Sequence, residues 1–138
     1  MGAAAGTTAE PYVENVSRVL HRLAAFRSRC ATIGYSRKRM PRWLVPYPGY
    51  RRWFEQLLLV RTLKALDVPF EVRAGSGGRR DVTVTNVPRL RNKLRRLGAR
   101  RLRGLIEQEY WALSRELAAK AVASRVAKKH AGAGAEAS

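Results

Sequence analysis

Between Arg89 and Arg103 the sequence places Arg89, Arg91, Lys93, Arg95, Arg96, Arg100, Arg101 and Arg103, with no acidic residue among them. Side chains of this kind do one piece of chemistry well: each binds a phosphate and releases a condensed counterion from a polyanion. A solvated helix face ordinarily mixes both signs of charge, so an unrelieved run points to an anionic partner. A second basic stretch, SRKRMPRWLVPYPGYRR from Ser36 to Arg52, holds Arg37, Lys38, Arg39, Arg42, Arg51 and Arg52, again without an acid. Trp43, Tyr47 and Tyr50 lie among these cations. Aromatic rings interleaved with Arg and Lys suit folded RNA, where they stack on unpaired bases or pack on sugars. Trp43, with Leu44 and Val45, fits a short buried strand better than an RNA contact. Arg79 and Arg80 add a third basic site in the loop AGSGGRRD.

The whole chain shares the bias. Its 138 residues carry 28 Lys and Arg against 10 Asp and Glu, a formal net charge of +18. Small soluble domains carry a charge of magnitude about 2–8, so this excess calls for a polyanion. Nucleic acid ranks first and an anionic membrane surface second. Other chemistries lack their residues. Cys30 is the only cysteine, which excludes an internal disulfide and a zinc-finger ligand set. His21 and His130 are far apart in sequence, and a lone histidine on a basic helix is more often a packing or surface residue. No nucleophile and base stand at a meaningful spacing, no carboxylates are paired, and no cofactor motif occurs, so neither catalysis nor a cofactor is expected. The glycines at 75, 77 and 78 do not make a phosphate-binding loop, which needs GxxxxGK[ST] between a strand and a helix. No apolar run approaches the roughly 20 residues that cross a bilayer.

Helices and strands must hold these cations in place. From Arg51 to Val68, Trp53, Phe54, Leu57, Leu58, Val60, Leu63 and Leu66 recur three and four apart, which predicts a core helix. It ends at Asp67-Val68-Pro69, because the residue before a proline is pushed out of helical geometry. Phe70 to Arg73 and Val82 to Thr85 read as two strands, the second alternating β-branched apolar and polar side chains. Asn86 then caps a second helix with Pro88 in its first turn, and Leu90, Leu94 and Leu97 form its buried stripe. Leu102, Leu105, Ile106, Tyr110, Leu113 and Leu117 predict a further helix, either folded back on the core or set against another protein. The tail AGAGAEAS after His130 has neither periodicity nor bulk and is expected to be disordered. Near the N-terminus, Tyr12, Val16, Val19, Leu20, Leu23 and Phe26 share a face, with Arg18, Arg22 and Arg27 elsewhere. That pattern suits a mitochondrial import segment, while Glu10 and Glu14 suit an ordinary helix. Gly6 stands where a myristoylation signal needs Ser or Thr.

The order of short strand, basic loop, apolar helix, strand and then Asn-Val-Pro opening a helix resembles the universal ribosomal protein thirty of the large subunit, particularly its mitochondrial forms. Gly49-Tyr50-Arg51-Arg52-Trp53, Thr62-Leu63-Lys64-Ala65-Leu66 and VTVTNVPRLRNKL at 82–94 carry the resemblance, over roughly residues 42–106. It implies an α+β fold with two helices on one face of a small antiparallel sheet, a closing strand near Ala99 to Ile106, no catalysis, and RNA contacts at the Tyr47–Arg52 loop and at Arg89, Arg91, Lys93, Arg95 and Arg96. Here ARRLRGLIEQEY reads more easily as helix than as that closing strand. The expected layout is a helical extension or import segment over 1–35, an RNA-binding core over 36–106, a helical extension over 107–130 and a tail over 131–138. The expected function is that of a structural constituent of a mitochondrial large ribosomal subunit, with ribosomal RNA and neighbouring ribosomal proteins as partners. An accessory subunit of a mitochondrial membrane complex, its basic surfaces on anionic lipid or protein, is the alternative.

Overall fold

A computed structural model describes residues 2–35, 51–75 and 80–137, with side chains for 9–35, 54–75 and 80–127. It is an α+β fold of helices around a three-stranded antiparallel sheet. In chain order the elements are α1 (Gly2–Ala24), β1 (Ala31–Tyr35), α2 (Arg51–Ala65), β2 (Phe70–Ala74), β3 (Arg80–Val84), α3 (Val87–Leu97) and α4 (Ala99–Ala137).

Strand β3 is central, with β1 and β2 on either side. The register pairs Ala31 with Val84 and Ile33 with Val82 on one side, and Phe70 with Val84 and Val72 with Val82 on the other. Alternation along each strand therefore puts Ala31, Tyr35, Val82 and Val84 on one face, where all four are buried. The opposite face carries Thr32 and Thr83, whose hydroxyls are 2.8 Å apart, together with Glu71 and Arg73. Helices α1 and α2 both touch β1.

One hydrophobic cluster runs through every helix. Tyr12, Val13, Val16, Leu20 and Leu23 of α1 meet Phe54, Leu58, Leu59 and Leu63 of α2, Leu90 and Leu94 of α3, and Leu102, Ile106, Tyr110 and Leu113 of α4. Ring contacts at 4.9 to 5.6 Å join Tyr12, Phe54 and Tyr110 in its middle. The helices are also joined by charge. Arg61 of α2 bonds Glu109 at 3.1 Å and Glu116 at 2.8 Å on α4, and Arg103 of α4 bonds Glu10 and Glu14 on α1. Burial disfavours the Arg61 charge, but its bonds to Glu116 and Glu109 outweigh that, so its pKa lies above the ordinary arginine value.

Some sequence expectations change at this point, and others are met. The segment expected as an extension over 1–35 supplies a core helix, and β1, also in that segment, supplies a strand that periodicity did not reveal. The first strand expected at Trp43 to Val45 lies outside the described residues. The closing strand implied near Ala99 to Ile106 is instead the start of α4, whose stripe has a period of three and four rather than two. The tail expected to be disordered continues α4 to Ala137, although Gly132 and Gly134 are poor helix formers. The apolar stripe from Leu102 to Leu117 folds back on the core.

Candidate nucleic-acid interface

The basic run falls on α3, the start of α4 and a single residue between them. Helix α3 begins as its sequence dictates: the Asn86 side chain accepts a hydrogen bond from Arg89 N at 3.2 Å, and Pro88 occupies the first turn, where no N–H partner is needed. Val87, Leu90 and Leu94 anchor one face in the core. At 100° per residue the opposite face presents Asn92, Arg95 and Arg96, all exposed. Gly98 ends the helix with φ +81°, its N–H bonded to Leu94 O at 3.0 Å, and its own carbonyl accepts from Leu102 N in α4. Only glycine takes this backbone geometry without strain. One residue thus turns the chain from one basic helix into another, setting Arg95 and Arg96 just before the elbow and Arg100 and Arg101 just after it.

The arginines of this run divide into two groups. Arg89 donates from Nε to the Asp67 carbonyl at 2.8 Å and from Nη2 to Asp67 Oδ2 at 2.6 Å. Asp67 has φ +56°, the left-handed conformation that closes α2, where Val68 N bonds Leu63 O and Asp67 N bonds Lys64 O, each at 3.0 Å, and the Arg89 fork braces the turn from outside. Arg91 donates from Nε to Ala24 O at 2.9 Å and from Nη2 to Phe26 O at 2.8 Å. It thereby satisfies orphan carbonyls at the C-terminus of α1, where a cation also complements the helix dipole. Arg103 is held by Glu10 and Glu14. These three, each expected from sequence to bind RNA, direct their guanidinium groups to partners within the chain. Lys93, Arg95, Arg96, Arg100 and Arg101 have no ion pair or hydrogen-bond partner among the described residues.

Other expected contacts are placed less fully. Arg80 is exposed at the start of β3. Arg51 and Arg52 open α2, but their side chains lie outside the described residues, as do Arg37, Lys38, Arg39, Arg42, Tyr47 and Arg79 altogether. Sequence reasoning missed Asn92. A concavity of about 440 Å³ beside α3 is lined by Asn86, Pro88, Arg89, Asn92, Lys93 and Arg96. The i, i+3 and i+4 spacing of 89, 92, 93 and 96 was the available signal, but an uncharged Asn92 among cations carries no sign of its own. Beyond Leu117, α4 leaves the core, with Val122 and Val126 about half exposed.

The described residues hold no cluster of His, Cys, Asp or Glu suited to a metal ion, and none of their helices is long and apolar enough to cross a membrane. No family model matches the chain, and searches of curated proteins and of solved structures return no similar protein.

Proposed function

We propose that this protein is a structural RNA-binding constituent of a mitochondrial large ribosomal subunit, with the elbow of α3 and α4 as a backbone contact. One observation carries the RNA reading: Lys93, Arg95, Arg96, Arg100 and Arg101 gather around Gly98 with no acidic partner among the described residues, on a chain of net charge +18. Packed helices hold these side chains in register, so phosphates bind without the ordering cost of a flexible tail. The ribosomal and mitochondrial parts rest on the sequence resemblance and on the amphipathic pattern of residues 12–27, where Arg18, Arg22 and Arg27 lie off the apolar face. Because α1 is built into the core, any import signal in it would be an internal one, retained after import. Scaffolding, with cations neutralising phosphate where RNA segments approach, is the mechanism that follows.

The test is sedimentation of the tagged native protein from gently lysed organelles, with and without RNase, followed by identification of co-migrating RNA. The expected result is migration with a large-subunit particle that RNase abolishes. Replacing Arg95, Arg96, Arg100 and Arg101 with Glu should prevent incorporation while leaving the circular-dichroism spectrum of the isolated chain unchanged. Migration with a detergent-solubilised membrane complex, insensitive to RNase, would overturn the proposal and favour a lipid- or protein-facing accessory subunit.

A further inference from the structure

Strand β2 is an edge: its one neighbour is β3, and no strand lies on its outer side among the described residues. It is poorly covered. Every residue from Glu71 to Ala74 is exposed, and Val72, which the register places on the same face as the buried Val82, retains 40% exposure. An exposed edge is a template for another strand, and natural edges are usually guarded by charge. Here the guarding charges have opposite signs. Glu71 and Arg73 lie on one face of the strand, with 3.7 Å between their charged groups, and both side chains are largely exposed. The sequence FEVRA is also locally neutral in a chain that is otherwise strongly basic.

These features fit one occupant. A two-fold axis through Val72 would lay β2 antiparallel to β2 of a second copy. It would set Val72 against Val72, Phe70 against Ala74, and Glu71 against Arg73 twice over. A strand with two like charges would repel itself in this register, whereas FEVRA complements itself. A strand of uniform basic character, the prevailing composition of this chain, could not do so. We infer that β2 is a self-association edge, through which two copies join their sheets into one continuous antiparallel sheet with isologous symmetry. The inference does not depend on the RNA reading. The surface involved is small, so the dimer is a weak one that forms as concentration rises.

The experiment is sedimentation velocity on the nuclease-treated full chain over a concentration series. A reversible monomer–dimer equilibrium is expected. Glu71→Arg, which sets arginine opposite Arg73 at both symmetric positions, should weaken dimerisation roughly tenfold or more. The exchange Glu71→Arg with Arg73→Glu should restore it, which a merely misfolded variant would not. In a Cys30→Ser background, Val72→Cys should cross-link to a disulfide homodimer under mild oxidation, and Val126→Cys, exposed but away from the edge, should not. The inference is overturned by a monomer at every concentration, by a dimer that Glu71→Arg leaves intact, by equal cross-linking at both positions, or by a multimer that nuclease removes.

Discussion

Arg91 offers the sharpest separation of folding from binding, because its sequence neighbours suggest an RNA contact and its geometry makes it a brace. Replacing it with Ala removes two bonds from a guanidinium to the Ala24 and Phe26 carbonyls, at 2.9 and 2.8 Å. Hydrogen bonds to charged groups contribute about 1.5–3 kcal/mol each. One of the two bonds is solvent-exposed and contributes less, so a net loss of about 2–3 kcal/mol, below the simple sum of the two, is expected. For a domain of this size that lowers Tm by roughly 6–12 °C. Thermal unfolding followed by circular dichroism reads the effect directly. Arg91→Lys should recover only part of it, since an ammonium lacks the fork that reaches both carbonyls. In parallel, the salt dependence of binding to a structured RNA probe should be unchanged by Arg91→Ala. Arg96→Ala should instead leave Tm within about 1 °C and reduce the slope of log K against log salt by about 0.7–0.9, the signature of one lost phosphate contact. An Arg91→Ala protein that melts normally yet loses salt slope like the Arg96 variant would refute the division of the basic run into braces and contacts.

Arg61→Ala should destabilise the fold by about 1–2 kcal/mol, because it strips partners from the half-buried Glu109 and the exposed Glu116; a double-mutant cycle with Glu109→Gln, read by urea unfolding, should show coupling between the two. Deleting residues 1–24 should leave no cooperative unfolding transition, because Tyr12, Val13, Val16, Leu20 and Leu23 are each at most 3% exposed. At about 1.5–3 kcal/mol for each buried side chain, their loss is comparable to the whole stability of a domain. A truncated chain that melts cooperatively would show that α1 is dispensable.

Much of the scaffold was legible in the sequence because it depends on local pattern. The period of three and four gave α2 and the stripe of α4, β-branched alternation gave β3, and Asn86 with Pro88 marked the start of α3. Strand β1 was not legible: ATIGY contains a glycine and lacks a clean polar alternation, and its strand character comes from pairing with β3 some fifty residues later. Helix α1 was recognised as amphipathic, but amphipathicity serves an import receptor and a protein core equally well. The candidate site shows the same boundary. Composition revealed the cations and helical geometry their faces, yet sequence could not say which were already occupied. The partners of Arg89, Arg91 and Arg103 lie 22, 65 to 67 and 93 residues away, or nearly so for Glu14, and only the tertiary fold brings them together.

The union of α1 with α4 also governs how the molecule can be made. Residues 12–23 find part of their covering only on residues 102–113, so during synthesis the apolar side of α1 must wait while the sheet and two helices are produced. Contacts of such sequence separation slow folding and leave sticky intermediates. A newly made chain stopped anywhere before Leu102 therefore exposes apolar surface of α1 that the finished fold hides. Closure by α4 is the event that hides α1 and, in the same movement, fixes the elbow on which the exposed arginines stand.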